Sequence, residues 1–120
     1  MNTTESTIAQ RATELQDYIA TGRIFEALDE FYAEDVVMQE NMEAPIAGRA
    51  ANIEREKAWL DTVETFTGFT VENLAVGGDV SFVETSMSYI AKDGQKVELT
   101  QVSRARWRDG KIVDERFYHG

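Results

Sequence analysis

Apolar residues recur at Ile8, Ala12, Leu15 and Ile19, steps of four, three and four that lay one stripe along a helix over about residues 5 to 20, with Tyr18 beside it. Thr21-Gly22 ends that helix. Ile24, Phe25, Leu28, Phe31 and Tyr32 then resume helical spacing, so the first 32 residues read as a helical hairpin. Beyond Glu34-Asp35 the run Val36, Val37, Met38 is β-rich and too short for a helix; it reads as a strand with Met38 and Glu40 on one face and Gln39 and Asn41 on the other. The only proline, Pro45, sits in a loop ending at Gly48, and Ile53, Glu56, Leu60 and Val63 restore a helical period over residues 49 to about 62. This third helix is polar, and the expectation is that it covers an edge of the core.

From Phe66 onward the helical signal stops. Gly77-Gly78-Asp79, Asp93-Gly94 and Asp109-Gly110 punctuate strand-like runs to the end, which predicts an antiparallel meander. Helices first and strands after them give an α+β chain with helices on one face of a curved sheet. At 120 residues this is one domain, 1–120, with one core.

Alternation sorts the strands by face. Val97, Leu99, Gln101, Ser103, Ala105 and Trp107 share one face, and Glu98, Thr100, Arg104 and Arg106 the other. The first set is read as inward, matched by Val83, Thr85, Met87 and Tyr89 before it and by Val113, Glu115, Phe117 and His119 after it. Such an interior is rich in polar groups, and a buried polar group without a partner costs about 1–3 kcal/mol. Either Thr85, Gln101, Ser103, Glu115 and His119 satisfy one another, or they line a cavity that holds water or a ligand.

Composition narrows the partners. The formal charge is −10, from 22 acidic and 12 basic residues, which would repel a phosphate backbone and argues against nucleic acid. Arg104, Arg106 and Arg108 form a row, but alternation puts them on the solvent face opposite acidic neighbours such as Glu98 and Asp114. With no cysteine, disulfides and thiolate chemistry are excluded. A single histidine, His119, is too little for a usual metal site, so no metal is expected. MNTTESTIAQ lacks the features of a secretory leader and no long apolar run is present, so the expectation is a cytoplasmic protein without a membrane partner. Nothing resembles a phosphate loop, a dinucleotide fingerprint or a nucleophile elbow. No cofactor is expected.

Three segments carry a family resemblance: FYAEDVVM at the helix end, PIAGR over residues 45–49, and RWRDGKIVDERFYH over residues 106–119. In this order and spacing the chain resembles the nuclear transport factor 2-like superfamily, and within it the SnoaL-like and ketosteroid isomerase-like proteins. The resemblance implies a cone, a strongly curved antiparallel or mixed sheet wrapped around three N-terminal helices, with a cavity open at one end and a homodimer formed through the outer sheet face. It implies a carboxylate base a few residues after a motif represented here by Tyr32-Ala33-Glu34-Asp35, which is Glu40. The isomerases also use a tyrosine of the first helix, for which Tyr18 is the loose match, and an acidic residue on a long strand, where this chain has Ser103. SnoaL-like cyclases place His and Asp on the last strand, where Glu115 and Phe117 stand.

The candidates for proton transfer are therefore Glu40, Glu115 and His119. Tyr18, Tyr32, Met38, Met87, Tyr89, Gln101, Ser103 and Phe117 are the candidates for lining, and Met42, Trp59, Phe66 and Trp107 are read as wall or core, with Trp59 also a possible interface residue. An apolar small molecule bearing a carbonyl or hydroxyl is the expected partner, with isomerisation, cyclisation or dehydration as the chemistry. A non-catalytic binding or dimerisation module of the same fold is the alternative, since fold does not decide function.

Overall fold

The structure, a computed structural model, describes residues 3–120; Met1 and Asn2, counted in the domain expected over 1–120, lie outside the described residues. Helices α1 (Thr3–Ala20), α2 (Ile24–Phe31) and α3 (Arg49–Leu60) accompany strands β1 (Tyr32–Glu40), β2 (Ile46–Ala47), β3 (Val63–Gly77), β4 (Val80–Ala91), β5 (Lys96–Arg108) and β6 (Lys111–His119). The strands form one sheet in the order β2-β1-β6-β5-β4-β3, antiparallel throughout except that β1 runs parallel to β6. This is the expected α+β arrangement of three helices on a curved mixed sheet. No described helix is long and apolar enough to cross a membrane.

Gly22 closes α1 as its spacing predicts. With φ at 78°, it lets its own N–H reach Ile19 O at 3.1 Å and the Arg23 N–H reach Tyr18 O at 2.8 Å, the paired bonds of a Schellman turn. The stripe of α1 packs with Ala27, Leu28 and Phe31 of α2 onto Val36, Met38, Ala105, Trp107 and Ile112, so the core fills the end of the sheet next to the β5–β6 turn. On the outer face Arg104 pairs with Asp114 at 3.2 Å as expected, but Arg106 meets Asp79 at 3.7 Å rather than Glu98.

Several boundaries differ from the sequence reading. Tyr32 belongs to β1, with φ −113° and ψ 134°, and not to the second helix. Helix α3 stops at Leu60 because the chain turns there, and β3 begins at Val63 rather than Phe66. The two-residue strand β2 inside the Pro45 loop is too short to leave a pattern. The largest departure is in β6. Trp107 pairs with Ile112 while Arg106 pairs with Asp114, so Val113 is an extra residue in a bulge. Ile112, fully buried, takes the inward place that simple alternation assigns to Val113.

Candidate active site

Register stacks the inward side chains in layers across the sheet. Met38, Glu115, Ala105 and Ser81 form the lowest layer, Glu40, Phe117, Ser103 and Val83 the next, and His119, Gln101 and Thr85 the third. Leu99 and Met87, then Val97 and Tyr89, continue towards the open end. Above these layers the helices leave a cavity of about 840 Å³, large enough for a small organic ligand.

Of the residues expected at the site, Glu40, Glu115, His119, Tyr32, Met38, Met87, Tyr89, Gln101, Ser103 and Phe117 all line this one cavity. Tyr18 does not. It stands edge-on to Phe31 with ring centroids 5.0 Å apart, and the Arg23 guanidinium caps its ring, so it is part of the helix packing. Met42 is largely exposed and off the wall, whereas Trp107 is core, its indole N–H donating to Ser81 Oγ at 2.9 Å. Trp59 is on the wall at the open end, packed against Phe66 and Tyr89 with centroids 5.9 and 5.5 Å away.

Glu115 sits at the closed end, 3% exposed. The Tyr32 hydroxyl donates to its Oε1 at 2.6 Å and the Ser103 hydroxyl to its Oε2 at 2.7 Å. Burial raises its pKa from 4.5 to about 7; the two hydroxyls and Arg55 oppose that rise, and the charge of Glu40 adds to it. Tyr32 is pushed well above the usual phenol value by burial first and then by Glu115, so it stays protonated and acts as a donor.

A second cluster lies beside the first. Glu40 presents Oε1 to Arg55 Nη1 at 3.2 Å and Oε2 to His119 Nε2 at 2.9 Å. Arg55 also approaches Glu56 Oε2 at 3.9 Å and donates from Nε to Asn52 Oδ1 at 3.3 Å. Glu56 has its pKa raised, chiefly by burial and further by Glu40, with Arg55 pulling the other way. Asn52, fully buried, donates to Ile46 O and Gly48 O at 3.1 and 2.9 Å and so ties α3 to the loop before it. Among the described residues no three metal-ligating side chains are gathered into a cluster.

The sequence reading does not place Arg55, Glu56 or Gln16 in the site, whereas Trp59, read as wall, core or interface, is wall. Arg55, Glu56 and Trp59 follow Asn52 at i+3, i+4 and i+7, a complete helical face that is polar and aromatic instead of apolar. That spacing was the available signal. Gln16 lies beside Leu15 on the core stripe of α1.

The SnoaL-like domain pattern matches residues 12–115, most of the chain. The chain belongs to the SnoaL-like family. A Mesorhizobium loti protein provisionally named a SnoaL-like polyketide cyclase shares 27% identity with this SnoaL-like chain, at a TM-score of 0.82 over 92% of this chain and 97% of that one. A similarly named protein from Jannaschia sp. gives a TM-score of 0.87 at 16% identity, over 99% and 89% of the two chains. A Bacillus subtilis protein provisionally named an isomerase gives 0.81 at 18% identity, over 100% and 90%. At the last two identities the likeness is one of fold. No curated protein matches.

Proposed function

We propose that this SnoaL-like protein binds an apolar small molecule bearing a carbonyl or hydroxyl in its cavity and acts on it by proton transfer through Glu115. The observation that carries this reading is a buried carboxyl at the closed end of an apolar cavity, held by two hydroxyls and poised near pH 7. A carboxyl so placed can take a proton from carbon at neutral pH and return it. Glu40, the base implied by the family register, supports a different role, because it is far less enclosed than Glu115 and pairs with two basic groups, Arg55 and His119, which it holds in place.

In the proposed step a C–H bond next to the substrate carbonyl breaks, its proton passes to Glu115, and the electron pair moves to the carbonyl oxygen. As Glu115 takes up the proton and loses its charge, the Ser103 or Tyr32 hydroxyl turns from it to donate to that oxygen. Returning the proton to another carbon isomerises the substrate; giving it to a leaving hydroxyl dehydrates it; attack of the enolate on a second carbonyl closes a ring.

The test is a thermal-shift screen of steroids, aromatic polyketides and other carbonyl compounds, followed by NMR of the hits in D2O. Wild type is expected to exchange the hydrogen next to the carbonyl, and Glu115→Gln to bind the same compound with exchange at least about 100-fold slower. Undiminished exchange in Glu115→Gln, with exchange lost in Glu40→Gln, would move the role to Glu40. Binding without exchange by wild type would favour a non-catalytic binding module.

We also infer a homodimer through the outer sheet face. Phe82 and Tyr118 stand there 45% and 43% exposed, next to the cross-strand row of Arg104 and Arg116. Sedimentation should give a dimer for wild type and a shift towards monomer for Phe82→Lys; a wild-type monomer would sink the inference.

A further inference from the structure

Thr85 and Gln101 face each other across β4 and β5 in the third layer and line the cavity. The polar interior seen in the sequence is only partly self-satisfied: Ser103 and Glu115 bond to one another and His119 to Glu40, but Thr85 and Gln101 have no side-chain hydrogen-bond partner among the described residues. Gln16 of α1 shares that condition. It lines the same cavity, is 8% exposed, and its amide has no partner among the described residues. Thr85 is 5% exposed. Because no side-chain polar atom among the described residues is both sealed off and unpaired, these groups reach the cavity space.

Gln16 reaches the same cavity from α1, whose first turn is held at the β3–β4 turn by Glu5 Oε2 accepting from the Gly78 N–H at 2.9 Å and which packs on β3 and β4. Glu115 is opposite Ala105, four residues from Gln101 along β5, so the two polar levels are separated by about 13 Å of strand.

We propose that Gln16, Thr85 and Gln101 form a second polar subsite, which binds a neutral hydroxyl, carbonyl or amide group of the ligand at the end away from Glu115. This deepens the proposed function and rests on it. Two amides and a hydroxyl supply donors and acceptors without charge, which suits a neutral group, and His119 in the same layer is already engaged with Glu40. Between the two levels stand the apolar Val83 and Phe117 beside Ser103 and Glu40, whose polar groups are engaged with Glu115 and with Arg55 and His119, so the ligand meets apolar wall between its two polar ends.

The test compares 4-phenylphenol with 4,4′-dihydroxybiphenyl, rigid probes that differ by one hydroxyl at the far end, by isothermal titration calorimetry. Wild type is expected to bind the dihydroxy probe about tenfold more tightly, and Gln16→Leu and Thr85→Val each to lose most of that preference while binding the monohydroxy probe as before. Each variant replaces a polar group by an apolar one of similar size, so it should melt no lower than wild type; a folded variant then reports on the subsite alone. Equal binding of both probes by wild type, or a preference that survives in both variants, overturns the subsite and leaves the proposed function standing. Failure of wild type to bind either probe counts against the cavity as a binding site and overturns both.

Discussion

Wild-type protein should lose about 3 kcal/mol of folding stability relative to Glu115→Gln as the pH rises from about 4.5 to 7. The folded-state pKa of Glu115 lies near 7 and the ordinary carboxyl value is 4.5, so in this window the folded chain keeps a proton that the unfolded chain has released. The stabilisation is complete below about pH 4.5, declines through the window, and is gone above about pH 7. Glutamine keeps both hydrogen bonds, accepting from Tyr32 and donating to Ser103, but has no proton to lose. Urea unfolding of both proteins at matched pH isolates this one group, since Glu56, whose pKa is also raised, contributes equally to each. Parallel stability curves for the two proteins would show that Glu115 is not a desolvated acid. The functional reading would then lose its main support.

Asn52→Ala should cost about 3 kcal/mol, although the residue touches nothing outside its own neighbourhood. Its two amide hydrogens satisfy Ile46 O and Gly48 O, and its oxygen accepts from Arg55 Nε. Truncation strands Ile46 O and Arg55 Nε, leaves Gly48 O with only the backbone N–H of residue 52 at 3.2 Å, and opens a void where no solvent reaches. Asn52→Asp retains the acceptor for Arg55 but aims carboxylate oxygens at two carbonyls, and is expected to be as damaging as alanine. Denaturant midpoints at constant m-value would measure both; a loss below about 1 kcal/mol in the alanine variant would contradict the account. The consequence reaches the site, because Arg55 held by Asn52 is the group that positions Glu40 and Glu56.

Most of the fold was legible because its patterns are local. The four-three-four spacing of α1 and the unbroken alternation of β4 and β5 each follow from the geometry of one element. Alternation assigned the inward faces of Thr85, Met87, Tyr89, Gln101 and Ser103 as the register has them. It misplaced Val113 because a bulge depends on the partner strand and leaves no mark in the composition of β6. Tyr32 looked helical since it continues an apolar period, yet the chain extends there to enter β1. The site was half legible. Carboxylates on strands were found by face, but Arg55 and Glu56 sit on a helix whose polar residues resemble a solvated surface until the third dimension turns that surface inward. Gln16 was hidden differently, as a single polar residue on an otherwise apolar stripe.

The bulge at Val113 makes the closed end of the cavity sensitive to chain length more than to side-chain identity. Ile112 and Glu115 are both inward only because one surplus residue separates two stretches of regular pairing. Deleting that residue would leave every remaining side chain chemically intact and still force a choice between Ile112 in the core and Glu115 in the cavity. Substitutions at Val113 should be well tolerated, whereas a one-residue deletion or insertion in the stretch from Ile112 to Asp114 should abolish the site. Lineages that carry this site would then vary in sequence at the bulge and hold its length constant.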